Sequence, residues 1–157
     1  RIEVVGPLTT RRAPMSKPAV ASVRQKMTGK KAVAMLRHVR LELARDHDYP
    51  DGSRERGYEF VAPIDRDGHL SAEAWHLTRE RCRVKRFWVH EASEVGHLVR
   101  KPGGAWAFHY DIHGDPEHDE TGFHLDTHRF VPGEYVSIKE QDGVMRTFRV
   151  RAVGELV

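Results

Sequence analysis

Residues Phe130–Val153, FVPGEYVSIKEQDGVMRTFRVRAV, decide how the rest of the chain is read. A strand sends alternate side chains to opposite faces, and both halves of this stretch alternate. In the first half Val136 and Ile138 share one face, while Tyr135, Ser137 and Lys139 share the other. In the second half Phe148, Val150 and Ala152 oppose Thr147, Arg149 and Arg151. Between them lies Gln141-Asp142-Gly143, and an Asp-Gly pair supplies the positive φ angles that a primed hairpin turn requires. The stretch is expected to form a β-hairpin with one apolar face. Because an isolated hairpin is marginal in water, the remaining chain has to cover that face.

Moving outward, the same alternation recurs. Leu36–Ala44 sets Val39, Leu41 and Leu43 against His38, Arg40 and Glu42, and Tyr58–Ile64 alternates through Tyr58, Phe60 and Ala62. The polar segment Arg45–Arg56, with Pro50, Asp51 and Gly52, reads as a loop. Ser71–Cys82 has Ala74, Trp75, Thr78 and Cys82 at helical spacing behind an N-cap serine, which predicts one short amphipathic helix anchored by Trp75. Val84–Val89 is a strand in which Lys85-Arg86 interrupts the alternation and suggests a bulge. Val95–Arg100 and Ala105–His113, joined through Pro102-Gly103-Gly104, predict a second hairpin with Trp106, Phe108, Tyr110 and Ile112 on one face. Gly114–Thr121 reads as an acidic exposed loop leading through Phe123 and Leu125 to the opening hairpin. The expected fold is mainly β, with α+β character: an antiparallel sheet of six to seven strands, curled or closed into a small barrel, with one short helix.

The 157 residues suit one domain, expected over 35–157. Residues 1–34 read as a disordered basic arm, an extension that need not belong to the native protein. They hold eight basic residues against Glu3 alone, a balance of +7, whereas the remaining 18 basic and 22 acidic residues leave the folded part at −4. The basic pI of 9.2 thus belongs to the arm. The folded part lacks the positive surface that phosphate tracking demands, which argues against nucleic acid as its partner. No apolar run approaches the roughly 20 residues that span a bilayer. Cys82 is the sole cysteine, so no intramolecular disulfide forms, and it reads as a small buried hydrophobe in a cytoplasmic protein.

Two groups of residues could carry chemistry. Phe108–His128 holds five of the chain's 11 histidines, and strand geometry puts His109, Asp111 and His113 on one face. Imidazole and carboxylate ligands so placed, completed by His128 or His97, could hold a divalent metal; solvated polar residues on an outer sheet face account for the same pattern. The second group is aromatic: Trp88, Trp106 and Tyr135 could line a ligand pocket in a barrel mouth, although aromatic rows at period two also build cores. No strained nucleophile turn surrounds Ser93 or Ser137, and no glycine-rich phosphate loop precedes a helix.

Arg129-Phe130-Val131-Pro132-Gly133-Glu134-Tyr135-Val136-Ser137 resembles the Pro-Gly-Gln-Tyr-Val segment that opens a strand in the flavin-binding barrel of the ferredoxin-reductase family. That resemblance implies a related barrel topology and a flavin or other small molecule as ligand. The family's Arg-x-Tyr-Ser/Thr flavin motif does not occur here. Over a longer span, VRLELARD, GYEFVAPI, GHL, RFW, WAFHYD, GEYVSI and DGVMRTFRV together resemble a family of small bacterial proteins of unassigned function, which implies no chemistry.

The expectation that follows is a non-catalytic binding or interaction module, engaging a protein partner or a second copy of itself through exposed sheet edges and the acidic histidine-rich loop. A metal-dependent site at residues 109–128 and a small-molecule barrel stand as the alternatives.

Overall fold

The Phe130–Val153 hairpin completes an eight-stranded antiparallel barrel in which each strand pairs with its neighbour in sequence and the last returns to the first. The computed structural model describes residues 34–111, 119–123, 125 and 127–156. All but the last residue of the expected basic arm therefore lies outside the described residues. In chain order the elements are β1 (Met35–Leu43), β2 (Ser53–Ile64), α1 (Ala72–Thr78), β3 (Arg83–Trp88), β4 (Glu94–Arg100), β5 (Trp106–Tyr110), β6 (Glu120–Phe123), β7 (Tyr135–Lys139) and β8 (Met145–Glu155). Among the described residues no helix is long and apolar enough to cross a membrane.

Mainly β with one short helix is what the alternation led us to expect, but the strand count is eight and not six or seven. The additional strand is β6, which starts inside the segment read as an acidic exposed loop. Four residues long, it turns the carboxyl group of Glu120 inward, so its alternation has no apolar signature at that position. β2 likewise begins at Ser53, within the polar stretch taken as loop. The bulge suggested by Lys85-Arg86 is absent: β3 keeps continuous register with β2 and β4, and Arg86 points into the barrel between Val84 and Trp88. In the β7–β8 turn only Gly143 has positive φ, +83°, with its N–H donating to the Glu140 carbonyl at 2.8 Å. Asp142 keeps negative φ, so this is a longer loop with glycine in the left-handed position and not the primed two-residue turn.

The barrel is filled, not hollow. Tyr58, Phe60, Phe108 and Phe148 meet in its middle, with ring centroids 5.0 Å apart for Tyr58–Phe108 and Tyr58–Phe148 and 5.3 Å for Phe60–Phe108. Val39, Leu41, Leu98, Val136, Ile138 and Val150 are buried around them. Each such side chain contributes roughly 1.5–3 kcal/mol by leaving water, which covers the apolar face that the hairpin could not cover alone.

The two ends differ. At one end α1 closes the barrel: the Trp75 indole donates to the Leu98 carbonyl at 2.9 Å and meets Trp106 edge-on at 5.7 Å, while Leu77 faces solvent. The helix is shorter than expected because it passes at Arg79 into a 3-10 turn that leads directly into β3. Its N-terminus is held by the Ser71 hydroxyl, which accepts from the Ala74 N–H at 3.1 Å. Replacing Ser71 with alanine is expected to cost about 1 kcal/mol, the usual value of such a cap, read as a lowered urea midpoint. At the other end, hereafter the open end, lie the β1–β2, β3–β4 and β7–β8 connections, the last residue of β5 and the first of β6, and the inward positions there are polar.

Candidate functional site

Inward strand positions nearest the open end carry Arg56 and Tyr58 on β2, Arg86 and Trp88 on β3, Tyr110 on β5 and Glu120 on β6. Glu140, just past β7, and Arg146 on β8 complete the ring. A regular antiparallel strand turns every second side chain inward, so these groups occupy one layer beyond the aromatic core. The Tyr58 hydroxyl lies 2.8 Å from Glu120 Oε1 and 2.6 Å from Glu140 Oε2. Tyr110 donates to the same Glu120 oxygen at 2.6 Å. Arg86 reaches Glu140 through Nε at 3.3 Å and Nη2 at 3.4 Å, and its Nε is 3.6 Å from Glu120 Oε2.

Burial shapes the electrostatics. Removal from water raises the Glu120 carboxyl to about 7, the Glu140 charge adds to the rise, and bonds from Tyr110 and Tyr58 and the charge of Arg86 act against it. The Tyr58 and Tyr110 hydroxyls are held well above their ordinary values, first by burial and then by the charge of Glu120. Burial opposes the charge on Arg86, but Glu140, Tyr58 and Glu120 outweigh it and keep its pKa above the ordinary arginine value.

A roof of cations and rings covers this layer. Arg86 stacks over Trp88 at 4.2 Å, Arg56 over Tyr49 at 4.5 Å and Arg146 over Tyr49 at 5.4 Å, and Tyr49 meets Trp88 edge-on at 6.1 Å. Arg146 also binds Asp46 at 2.7 Å and Asp48 at 3.1 Å, while its Nε faces Glu140 Oε1 at 3.6 Å. One guanidinium thereby joins the β1–β2 loop to the buried acid cluster.

On the outer wall beside this end lies a groove of about 670 Å³ whose charged lining is Arg45, Arg54, Arg149 and Arg151 with the acids Glu42 and Asp51, beside Tyr135 and Thr147. Among the described residues no acidic side chain lies within ion-pair distance of Arg45, Arg54 or Arg149, and Arg151 reaches Glu42 only at 3.8 Å. Arg40 on the same wall is paired, binding Glu42 at 2.8 Å and Glu59 at 2.6 Å.

The histidine-rich face is also paired. His109 Nδ1 lies 2.6 Å from Asp119, whose other oxygen accepts from Lys101 at 3.1 Å. Asp111 instead faces Arg83 at 3.3 Å and His97 at 3.5 Å, so a guanidinium already occupies the carboxylate. His109 and Asp111 thus belong to two separate clusters. His128 is half-buried in the β6–β7 connection, and His113 lies outside the described residues. Among the described residues no group of three or more His, Cys, Asp or Glu side chains could hold a metal ion. The aromatic candidates are dispersed as well: Trp88 roofs the open end, Trp106 is buried against α1, and Tyr135 stands on the outer wall in the arginine-lined groove.

The acid–tyrosine cluster was missed because Arg56 and Glu120 fell in segments read as loop and Arg86 was read as a break in the alternation. A signal existed: Arg56, Arg86, Glu140 and Arg146 are in phase with Tyr58, Val84, Ile138 and Phe148. Compared with models of known protein families, with curated proteins and with solved structures, the chain finds no match.

Proposed function

We propose that the barrel is a non-catalytic binding module that takes an acidic segment of a partner protein into the groove lined by Arg45, Arg54, Arg149 and Arg151. The observation that carries this reading is the unpaired state of three of these arginines in one concave surface, beside Arg40, whose charge Glu42 and Glu59 neutralise. Arginine's planar fork accepts carboxylates in bidentate geometry, and the half-exposed Tyr135 ring offers apolar area beside it. The barrel interior is filled by aromatic side chains, which favours an outer-wall ligand over a flavin held inside. Four arginines against Glu42 and Asp51 leave the groove a small positive excess, which suits a few carboxylates, whereas a polynucleotide needs a longer basic track. A cytoplasmic setting belongs to the same reading.

The test is fluorescence anisotropy with a labelled poly-glutamate peptide at low salt, alongside a labelled oligothymidylate. The peptide is expected to bind, and the double reversal Arg45→Glu, Arg149→Glu to weaken it at least about tenfold, since each charge reversal replaces attraction by repulsion. No binding, unchanged binding by the reversed protein, or preference for the oligonucleotide overturns the proposal.

A further inference from the structure

We infer that the Glu120–Tyr58–Glu140 chain inside the open end holds one shared proton at neutral pH, and that losing it loosens the β1–β2 loop beside the arginine-lined groove. The proton count follows from geometry. Tyr58 has one hydroxyl hydrogen, yet its oxygen lies within hydrogen-bond distance of two carboxylate oxygens, 2.8 Å from Glu120 and 2.6 Å from Glu140. A hydroxyl can donate to only one of them. With both carboxyls ionised, the second contact would oppose lone pairs in a buried site. One additional proton resolves this: Tyr110 donates to Glu120 Oε1, protonated Glu120 donates to Tyr58, and Tyr58 donates to Glu140.

The surroundings favour Glu120 as the carrier. Glu140 is the more fully paired of the two, since Arg86 contacts both of its oxygens and Arg146 lies 3.6 Å away. Glu120 has only the Arg86 Nε at 3.6 Å and the Gln141 N–H at 3.3 Å on its other oxygen. From the remaining elements, β4 contributes the negative charge of Glu94, which is engaged by Gln141 at 3.0 Å, and β1 faces the barrel with Val39, Leu41 and Leu43. β2 brings Arg56, which stacks on Tyr49, and among the described residues Arg86 is the one guanidinium found within ion-pair distance of Glu120. Its value of about 7 agrees with this arrangement.

Losing the proton sets two carboxylates against one hydroxyl and makes both guanidiniums compete for them. Arg146 is the shared piece: drawn towards the acid pair, it releases Asp46 and Asp48. Asp46 is what orders the loop, since Oδ1 accepts from the Asp48 and Tyr49 N–H groups at 2.8 Å and 2.9 Å. Ala44, Arg45, Asp51 and Gly52 of that loop line the groove. The thermodynamic sign is fixed: between about 4.5 and about 7 the folded barrel binds a proton that the unfolded chain has lost, so stability falls as pH rises across that window and stays lower above it.

The control of the groove rests on the binding reading, whereas the proton and the loop do not. The experiment follows the Glu120 side-chain carboxyl carbon by NMR in the intact chain, with amide hydrogen exchange at Tyr49 and Gly52 from pH 5.5 to 8.5. Glu120 is expected to titrate near 7, and loop exchange, corrected for its intrinsic pH dependence, to rise by at most about tenfold per pH unit, the limit for one linked proton. Glu120→Gln, which keeps the shape without a proton to lose, is expected to make loop exchange independent of pH. Titration of Glu120 in the ordinary carboxylate range overturns the proton assignment in the unaltered protein, whatever the variant does. A pH-dependent loop that persists in Glu120→Gln overturns the coupling. Failure of poly-glutamate to bind at any pH removes the groove reading and leaves both measurements standing.

Discussion

Arg86→Met is expected to lower the unfolding free energy at pH 7 by about 3–5 kcal/mol, the cost of removing one partner from a buried charge cluster. The side chain is 11% exposed and serves Glu140, Glu120 and Glu91 at once. Without it Glu140 keeps only the more distant Arg146, and Glu120 loses the guanidinium beside it. The lost stacking on Trp88 adds to the effect. Urea denaturation measures it, with Arg83→Met as the reference. Arg83 sits on the same strand, but its side chain is half-exposed and bound to Asp111 on the outer wall, where such pairs contribute about 0–1 kcal/mol. Equal losses for the two variants would mean that the inner cluster is solvated and not buried.

Gly96→Ala is expected to cost about 3 kcal/mol, the upper range for forcing atoms into a close-packed interior. Gly96 pairs with Tyr110 on β5 and Val84 on β3. A Cβ there would run into the His109 carbonyl oxygen and lie 2.7 Å from the Tyr110 Cα. Backbone atoms cannot swing aside as a side-chain tip can, so β4 and β5 would have to part. The reference substitution is Gly154→Ala, where nothing lies within 4 Å. A thermal melt separates the two: Gly96→Ala should lose many degrees and Gly154→Ala almost none. Equal melting temperatures would show that β4 and β5 do not approach so closely.

These two positions also show which parts of the structure could be read from sequence. The apolar rows Val39-Leu41-Leu43, Tyr58-Phe60-Ala62, Trp106-Phe108-Tyr110 and Phe148-Val150 were legible because burial and period two coincide in them, and they give the barrel its middle. At the open end burial and polarity coincide instead. Arg86 was taken as a break in the strand and Glu120 as part of a solvated loop, because a single chain does not say which acid its arginine meets. Glu140 lies 54 positions from Arg86, and Asp46 lies 100 from Arg146. Only closure of the sheet brings them together. Gly96 was silent for the same reason, since its constraint comes from the backbone of the neighbouring strand. The groove was half legible: Arg149 and Arg151 were correctly set outward, but nothing in the alternation revealed that Arg45 and Arg54 would face them.

Closure has a kinetic meaning as well. Seven of the eight strand pairings join consecutive strands, and only β1–β8, with Arg37 opposite Glu155, joins distant parts of the chain. The entropy of bringing ends together grows only logarithmically with the length of the loop, yet here it falls on one step and is repaid only when the last seam forms. The sheet can therefore grow hairpin by hairpin while its two edge strands stay unpaired, each a template for the strand of another molecule until β8 finds β1. Arg146, on β8, meets Asp46 and Asp48, just past the end of β1, at this same seam. Their attraction across it favours the chain's own edge over a stranger's, so the contact that orders the loop in the finished barrel also guards the barrel while it is being made.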